Sequence, residues 1–134
     1  MTAFAVETAL YNKLTSDTEL MNLVNGVYRG IAPDDAVLPY IVINLISSTD
    51  SYTLGTRLVV GYHYQIRCVD EGLSKETADQ AMARVDTLLT RQDLAVADGA
   101  FWFAERRGSF EFVENDSGVV YQHVIADFAI EVSE

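Results

Sequence analysis

Leu58, Val60, Tyr62, Tyr64, Ile66 and Cys68 alternate with Val59, Gly61, His63, Gln65, Arg67 and Val69. That period of two places one set on each face of a β-strand, predicted here from Arg57 to Asp70. Upstream the spacing changes to three and four. Ala3, Val6, Leu10 and Leu14 predict an amphipathic helix from about Thr2 to Leu14. Ser16 or Asp17 caps a short second helix with Leu20, Leu23 and Val24 as its apolar stripe. Asn25-Gly26 ends it, since both residues tolerate the left-handed backbone that stops a helix.

Val27 to Ile31 reads as a short strand, and Tyr40 to Ile46, rich in β-branched residues, as another. Between them Pro33 and Pro39 bracket an acidic turn. Ser47 to Thr56 is polar and reads as a long exposed loop or hairpin tip. After Asp70-Glu71-Gly72, Ser74 caps a helix reaching about Arg91, with Ala78, Ala81, Met82, Val85, Leu88 and Leu89 on its inner side. Glu76 and Asp79 stand early in it and Arg84 and Arg91 late, an order that complements the helix dipole. The last third is β-rich. Asp98-Gly99 joins Leu94–Ala97 to Ala100–Glu105, and residues 115–118 join Ser109–Glu114 to Val119–Val132. The predicted order is α-α-β-β-β-α-β-β-β-β. The class is α+β: a mainly antiparallel twisted sheet with an N-terminal helical segment and one central helix packed on it.

A chain of 134 residues, 49% of them hydrophobic, supports one domain spanning residues 1–134 around one core. Cys68 is the only cysteine, so no internal disulfide forms, and its place in the alternating strand makes it a small buried apolar group. No basic, apolar leader opens the chain, and no apolar run approaches the roughly 20 residues that span a bilayer. A secretory signal is not expected, so the sequon Asn115-Asp116-Ser117 reads as coincidence.

Charge narrows the partners. The net charge is −11, and it is uneven: residues 1–67 hold six acids against four bases, residues 68–134 fourteen against five. Such a surface repels nucleic-acid phosphates and anionic membranes.

Chemistry is hard to find. There is no GxGxxG, GxxxxGK[ST], GxSxG, HExxH or CxxC pattern. His63 and His123 could meet across a sheet with Asp70 or Asp127 to hold a metal, but placement on a strand is the commoner role. Cys68 and His63 fall on opposite faces. Asp34-Asp35 and Asp70-Glu71 sit at turns, where Asp serves the backbone. No catalytic residue, cofactor or metal ligand is assigned, and the chain reads as a non-enzyme. The run Phe101-Trp102-Phe103 puts two rings on one face and Trp102 on the other, so this strand is covered on both sides or forms an interface. Arg106-Arg107, at its end, suits an acidic patch on a partner or on a second copy.

The succession Val27-Tyr28, Ala32-Pro33-Asp34, residues 38–43 (Leu-Pro-Tyr-Ile-Val-Ile), residues 62–70 and residues 121–128 resembles the tail completion, or tail terminator, family of long-tailed bacteriophages and related particles such as gene transfer agents. The resemblance implies a virion protein at the head-proximal end of a tail, assembled in the bacterial cytoplasm. It implies a homo-oligomeric ring, usually a hexamer, seated on the last ring of tail tube protein and joined to a head-side neck or stopper protein. DNA would pass through without specific binding, and no membrane is involved. Candidate interface residues are Asp50, Tyr52 and Leu54 in the polar loop, Arg57 at the start of the following strand, and Phe101, Trp102, Phe103, Arg106 and Arg107. Candidate lumen acids are Asp70, Glu71, Glu114 and Asp116. A head-completion protein of the same particle and a cytosolic small-molecule-binding regulatory domain are the alternatives.

Overall fold

A computed structural model describes residues 3–97 and 99–133. The helices are α1 (Ala3–Thr15), α2 (Thr18–Leu23) and α3 (Glu76–Leu89). The strands are β1 (Val27–Arg29), β2 (Tyr40–Thr53), β3 (Thr56–Glu71), β4 (Ala100–Asp116) and β5 (Val119–Ser133). They form one sheet in the order β1-β2-β3-β5-β4, in which β1 pairs parallel to β2 and every other pairing is antiparallel. The α+β class is as expected from the sequence.

Pleat explains the core. The even residues Val60 to Cys68 of β3 and Val124 to Val132 of β5 point to one side. There they join Val6, Leu10 and Leu14 of α1, Leu20 of α2 and Ala81, Met82, Val85 and Leu89 of α3. All three helices therefore pack on the same face of the sheet. Tyr64 is fully buried at the centre of this layer, and its hydroxyl donates to the Ala3 carbonyl at 2.8 Å.

Several boundaries differ from the sequence reading. Residues 47–53 are strand, not loop: β2 and β3 stay paired out to Thr53 and Thr56, leaving a two-residue turn at Leu54-Gly55. The alternation of small polar residues there suits a two-stranded arm in water. Ala100–Glu105 and Ser109–Glu114 are one strand, because an irregularity between Arg106 and Gly108 absorbs the break in pattern without ending the ladder. Residues 94–96 form no strand. Asp98 of the turn predicted there, like Thr2 of the predicted first helix, lies outside the described residues. Arg91 is not in α3, which ends at Leu89, and Arg91 adopts φ 58°. Ser74 does not cap α3 from the N-cap position, which Lys75 holds, although its Oγ accepts from the Glu76 amide at 3.2 Å. Gly26 is not left-handed. Instead Val24 leaves α2 in an extended conformation, and Asn25 bonds the Leu38 and Pro39 carbonyls through its side-chain amide and its backbone N–H.

Asp17 joins two helices. It is the N-cap of α2, accepting from the Leu20 amide at 2.9 Å, and it receives Arg84 of α3 on both carboxylate oxygens at 2.8 Å. Arg84 first, and then the Leu20 amide, hold its carboxyl at about 2, below the ordinary 3.8, against the opposing effect of its partial burial. A carboxyl lowered on folding stabilises the fold above its ordinary value and loses that contribution as pH falls through the range from about 4 to about 2. Asp17→Ala is expected to lower stability by about 1–2 kcal/mol, measured by urea unfolding at neutral pH, from loss of the cap and its partner. The same variant should lose less stability than the parent when the titration is repeated between pH 4 and pH 2.

Burial first, and then the nearby Asp70 carboxylate, push the Cys68 thiol up to about 12. The native protein should therefore resist an aromatic disulfide reagent at neutral pH and react fully only once unfolded.

Candidate functional site

The β2–β3 arm begins where β5 stops. Ser133, at the end of β5, is level with Val59, and beyond it β2 and β3 run on for roughly 10 Å of paired chain. At the tip Leu54 (φ 50°) and Gly55 (φ 83°) are both left-handed, as a two-residue hairpin turn with the sheet's own twist requires. Glycine adopts this freely. Leucine does not, at a cost of about 1 kcal/mol or more. Leu54 is also fully exposed and Tyr52 is 62% exposed. A branched apolar side chain thus stands where both the backbone and water disfavour it. Asp50 lies on β2 just before the arm, opposite Val60; the side chain of Arg57, opposite Tyr52, lies outside the described ones.

The aromatic run at the start of β4 lies at the same end of the sheet, but its faces differ from the sequence reading. Phe101 is opposite Val132 and Phe103 opposite Glu131, so the ladder slips by one residue at Trp102. Val132 points into the core and Glu131 away from it. Phe101 accordingly packs on the core, while Phe103 takes the other face; the two rings do not share one. Trp102 is exposed, and its indole N–H donates to Ser133 Oγ at 3.1 Å. The three rings and residues 91–93 border a cavity of about 260 Å³. Arg106 and Arg107 already have acids within the chain, Asp86 at 3.9 Å and Glu105 at 3.0 Å.

The candidate acids gather at the opposite end. Glu71 and Glu114 flank Tyr121 on either side of β5, Asp116 pairs with Val119, and Asp70 is opposite Gln122. From Val59 to Glu71 the sheet spans about 40 Å, so the two groups of candidates lie at opposite ends. Asp70 accepts from the Glu71 amide at 2.8 Å, a turn role. Glu114 meets His123 Nε2 at 2.9 Å, and the His123 ring stacks on Phe112 at 4.3 Å between centroids. Arg67 lies 5.9 Å from the Phe112 ring on the same face. This is the face that carries no helix, and it includes buried Val42, Val69 and Ile125 outside the main core. Residues 32–38 border a cavity of about 280 Å³ there with Tyr40, Tyr121, Glu114 and Asp116. Burial is the chief influence raising the Tyr40 hydroxyl above its ordinary value.

His63 and His123 do not meet. His63 is opposite Ala129, and its Nε2 lies 3.6 Å from Asp127, whereas His123 is opposite Val69. Among the described residues no three His, Cys, Asp or Glu side chains gather as a metal would need. No helix among them is long and apolar enough to cross a membrane.

Sequence reasoning missed Leu45, Ile46, Phe110, Phe112 and Val113, all exposed at the sides of the sheet. The pattern Phe110-Glu111-Phe112-Val113 was a usable signal, since it gives apolar groups to both faces of one strand.

A family model described as tail completion protein gp17 matches residues 8–133. Among solved structures, a chain in the virion of a native gene transfer agent particle superposes with a TM-score of 0.80. It is 19% identical, over 96% of this chain and 96% of its own, a likeness of fold. The bacteriophage SPP1 gp17 protein matches with a TM-score of 0.58 at 25% identity, over 98% of this chain and 89% of its own. No curated protein matches. The chain belongs to the tail completion protein gp17 family and is a structural component of a virion tail.

Proposed function

We propose that this tail completion protein closes as a ring, with six copies as the expected number, on the last ring of tail tube protein. There it ends tube growth and offers its far side to the head-side neck or stopper protein. The whole chain, residues 1–134, acts as one domain in this role, without catalysis. The observation that carries the reading is Leu54. An exposed leucine in a left-handed turn weakens the free chain, so its presence is accounted for by a contact made on assembly. Tyr52 and Leu54 on the arm, with Trp102 near its base, form the docking end. The acids Asp70, Glu71, Glu114 and Asp116 form the other end, at the mouth of the channel. Acidic walls there let DNA pass without the counterion release that makes basic surfaces hold it.

In a particle lacking this protein, tails imaged by negative-stain electron microscopy should be long and variable. Tails of normal length in its absence would overturn the reading. Leu54→Asn supplies a residue suited to the turn, and should raise stability by about 0.5–1 kcal/mol in urea while impairing tail-length control. A stabilised variant with unaltered tails would remove the arm tip from the docking end.

A further inference from the structure

We infer that copies of this chain join edge to edge: the free edge of β4 in one copy pairs antiparallel with β2 of the next, around Leu45–Thr49. The inference rests on the ring reading above and names the contact that closes the ring.

Both edges are open. β4 is the last strand of the sheet, and no strand among the described residues lies on its outer side. On the other edge β1 covers only Ile41 to Ile43, and no strand among the described residues pairs with the outer side of β2 from Asn44 to Thr49. Open strands present unpaired N–H and C=O groups, and proteins commonly blunt them with proline or short length. Here residues 44–53 and 100–116 contain no proline and run in long strands. Both edges also expose apolar side chains that a free chain gains nothing by showing. Leu45 and Ile46 stand on one, and Trp102, Phe110 and Val113 on the other.

The two edges match in height. Following the ladder across the sheet, Ser47 is level with His63, Ala129 and Glu105, while Thr49 is level with Gly61, Glu131 and Phe103. β2 slips by one residue at Ile46, and β4 slips on either side of the matching stretch, at Trp102 and at Arg107. The free parts of the two strands therefore face one another with little axial shift between neighbouring copies.

Polarity agrees as well. β2, β3, β5 and β4 alternate in direction, so β4 runs opposite to β2 within one copy. Rotation about an axis along the strands preserves direction, so β4 of one copy remains antiparallel to β2 of the next. The two surfaces are different, which makes the contact head-to-tail, and such contacts close into rings when the rotation allows. The occupant of each edge is thus a second copy of this chain.

The test uses the full chain with Cys68→Ala and a cysteine at Ser47, which shares the reverse face with Phe103 and Glu105, combined in turn with cysteines at Phe103, Glu105 and Arg107. Opposed strand positions bring Cα atoms to about 4.5–5.5 Å, within disulfide reach. Under mild oxidation of assembled tails at least one pairing should convert the monomer into a covalent ladder ending at the ring, as seen on a non-reducing gel. Ser47→Cys alone should give dimers at most. Rings that are visible by electron microscopy and control tail length, yet give no ladder with any pairing, overturn the edge contact and leave the ring reading standing. Failure to form rings on tails whose length is still controlled overturns both.

Discussion

All helical cover lies on one side of this sheet, and the other side and both edges are left to be accounted for. α1, α2 and α3 bury their apolar stripes against the even residues of β3 and β5, which completes one core. The reverse face carries no helix and is closed by its own side chains and one loop. Phe112 lies against His123, Arg67 reaches toward Phe112, and residues 32–38 lean over one end. A sheet of five strands with one dressed face is stable enough to fold. It is also a surface whose remaining hydrogen-bonding and apolar capacity lies at its sides, which suits a component built to be assembled.

Much of this was legible in the residues. The alternation from Leu58 to Val69 defined β3 nearly to its ends, and it also separated Cys68 from His63 and placed Cys68 in the core. Asp17 could be named as a cap because a short acid before an apolar stripe has a local physical meaning. Beyond the helix ends, what failed were features decided by strand register. Nothing local in Ser47–Thr53 distinguishes a polar loop from a hairpin arm held straight by Thr56–His63. Likewise the slip at Trp102 reassigns Phe103 to the other face, and only the register with β5 shows it. Sequence periodicity assumes an unbroken pleat, and bulges violate that assumption without leaving a composition signal.

The candidate residues divide in the same way. The acids at 70, 71, 114 and 116 are far apart in sequence, and it is the antiparallel return of β5 past both β3 and β4 that brings them to one end. Leu54 could be seen as apolar among polar neighbours, but its left-handed backbone could not be read from the residue, because leucine is a poor predictor of that conformation. The backbone feature on which the proposed docking end rests was therefore invisible until the turn was seen. By contrast, the aromatic run was conspicuous in sequence, and much of it proves to serve the core through Phe101 or the neighbouring strand β5 through the Trp102–Ser133 bond.

The long central ladder has a mechanical meaning. β3 and β5 pair without a slip from Val59 to Glu71, joining the arm end of the molecule to the acidic end. A pull applied between those two ends runs along the strands and loads the whole row of backbone hydrogen bonds in shear, so they must yield together. The same bonds pulled from the side would open in succession, like a zip. The direction from the arm end to the acidic end is thus the one in which the sheet is hardest to break.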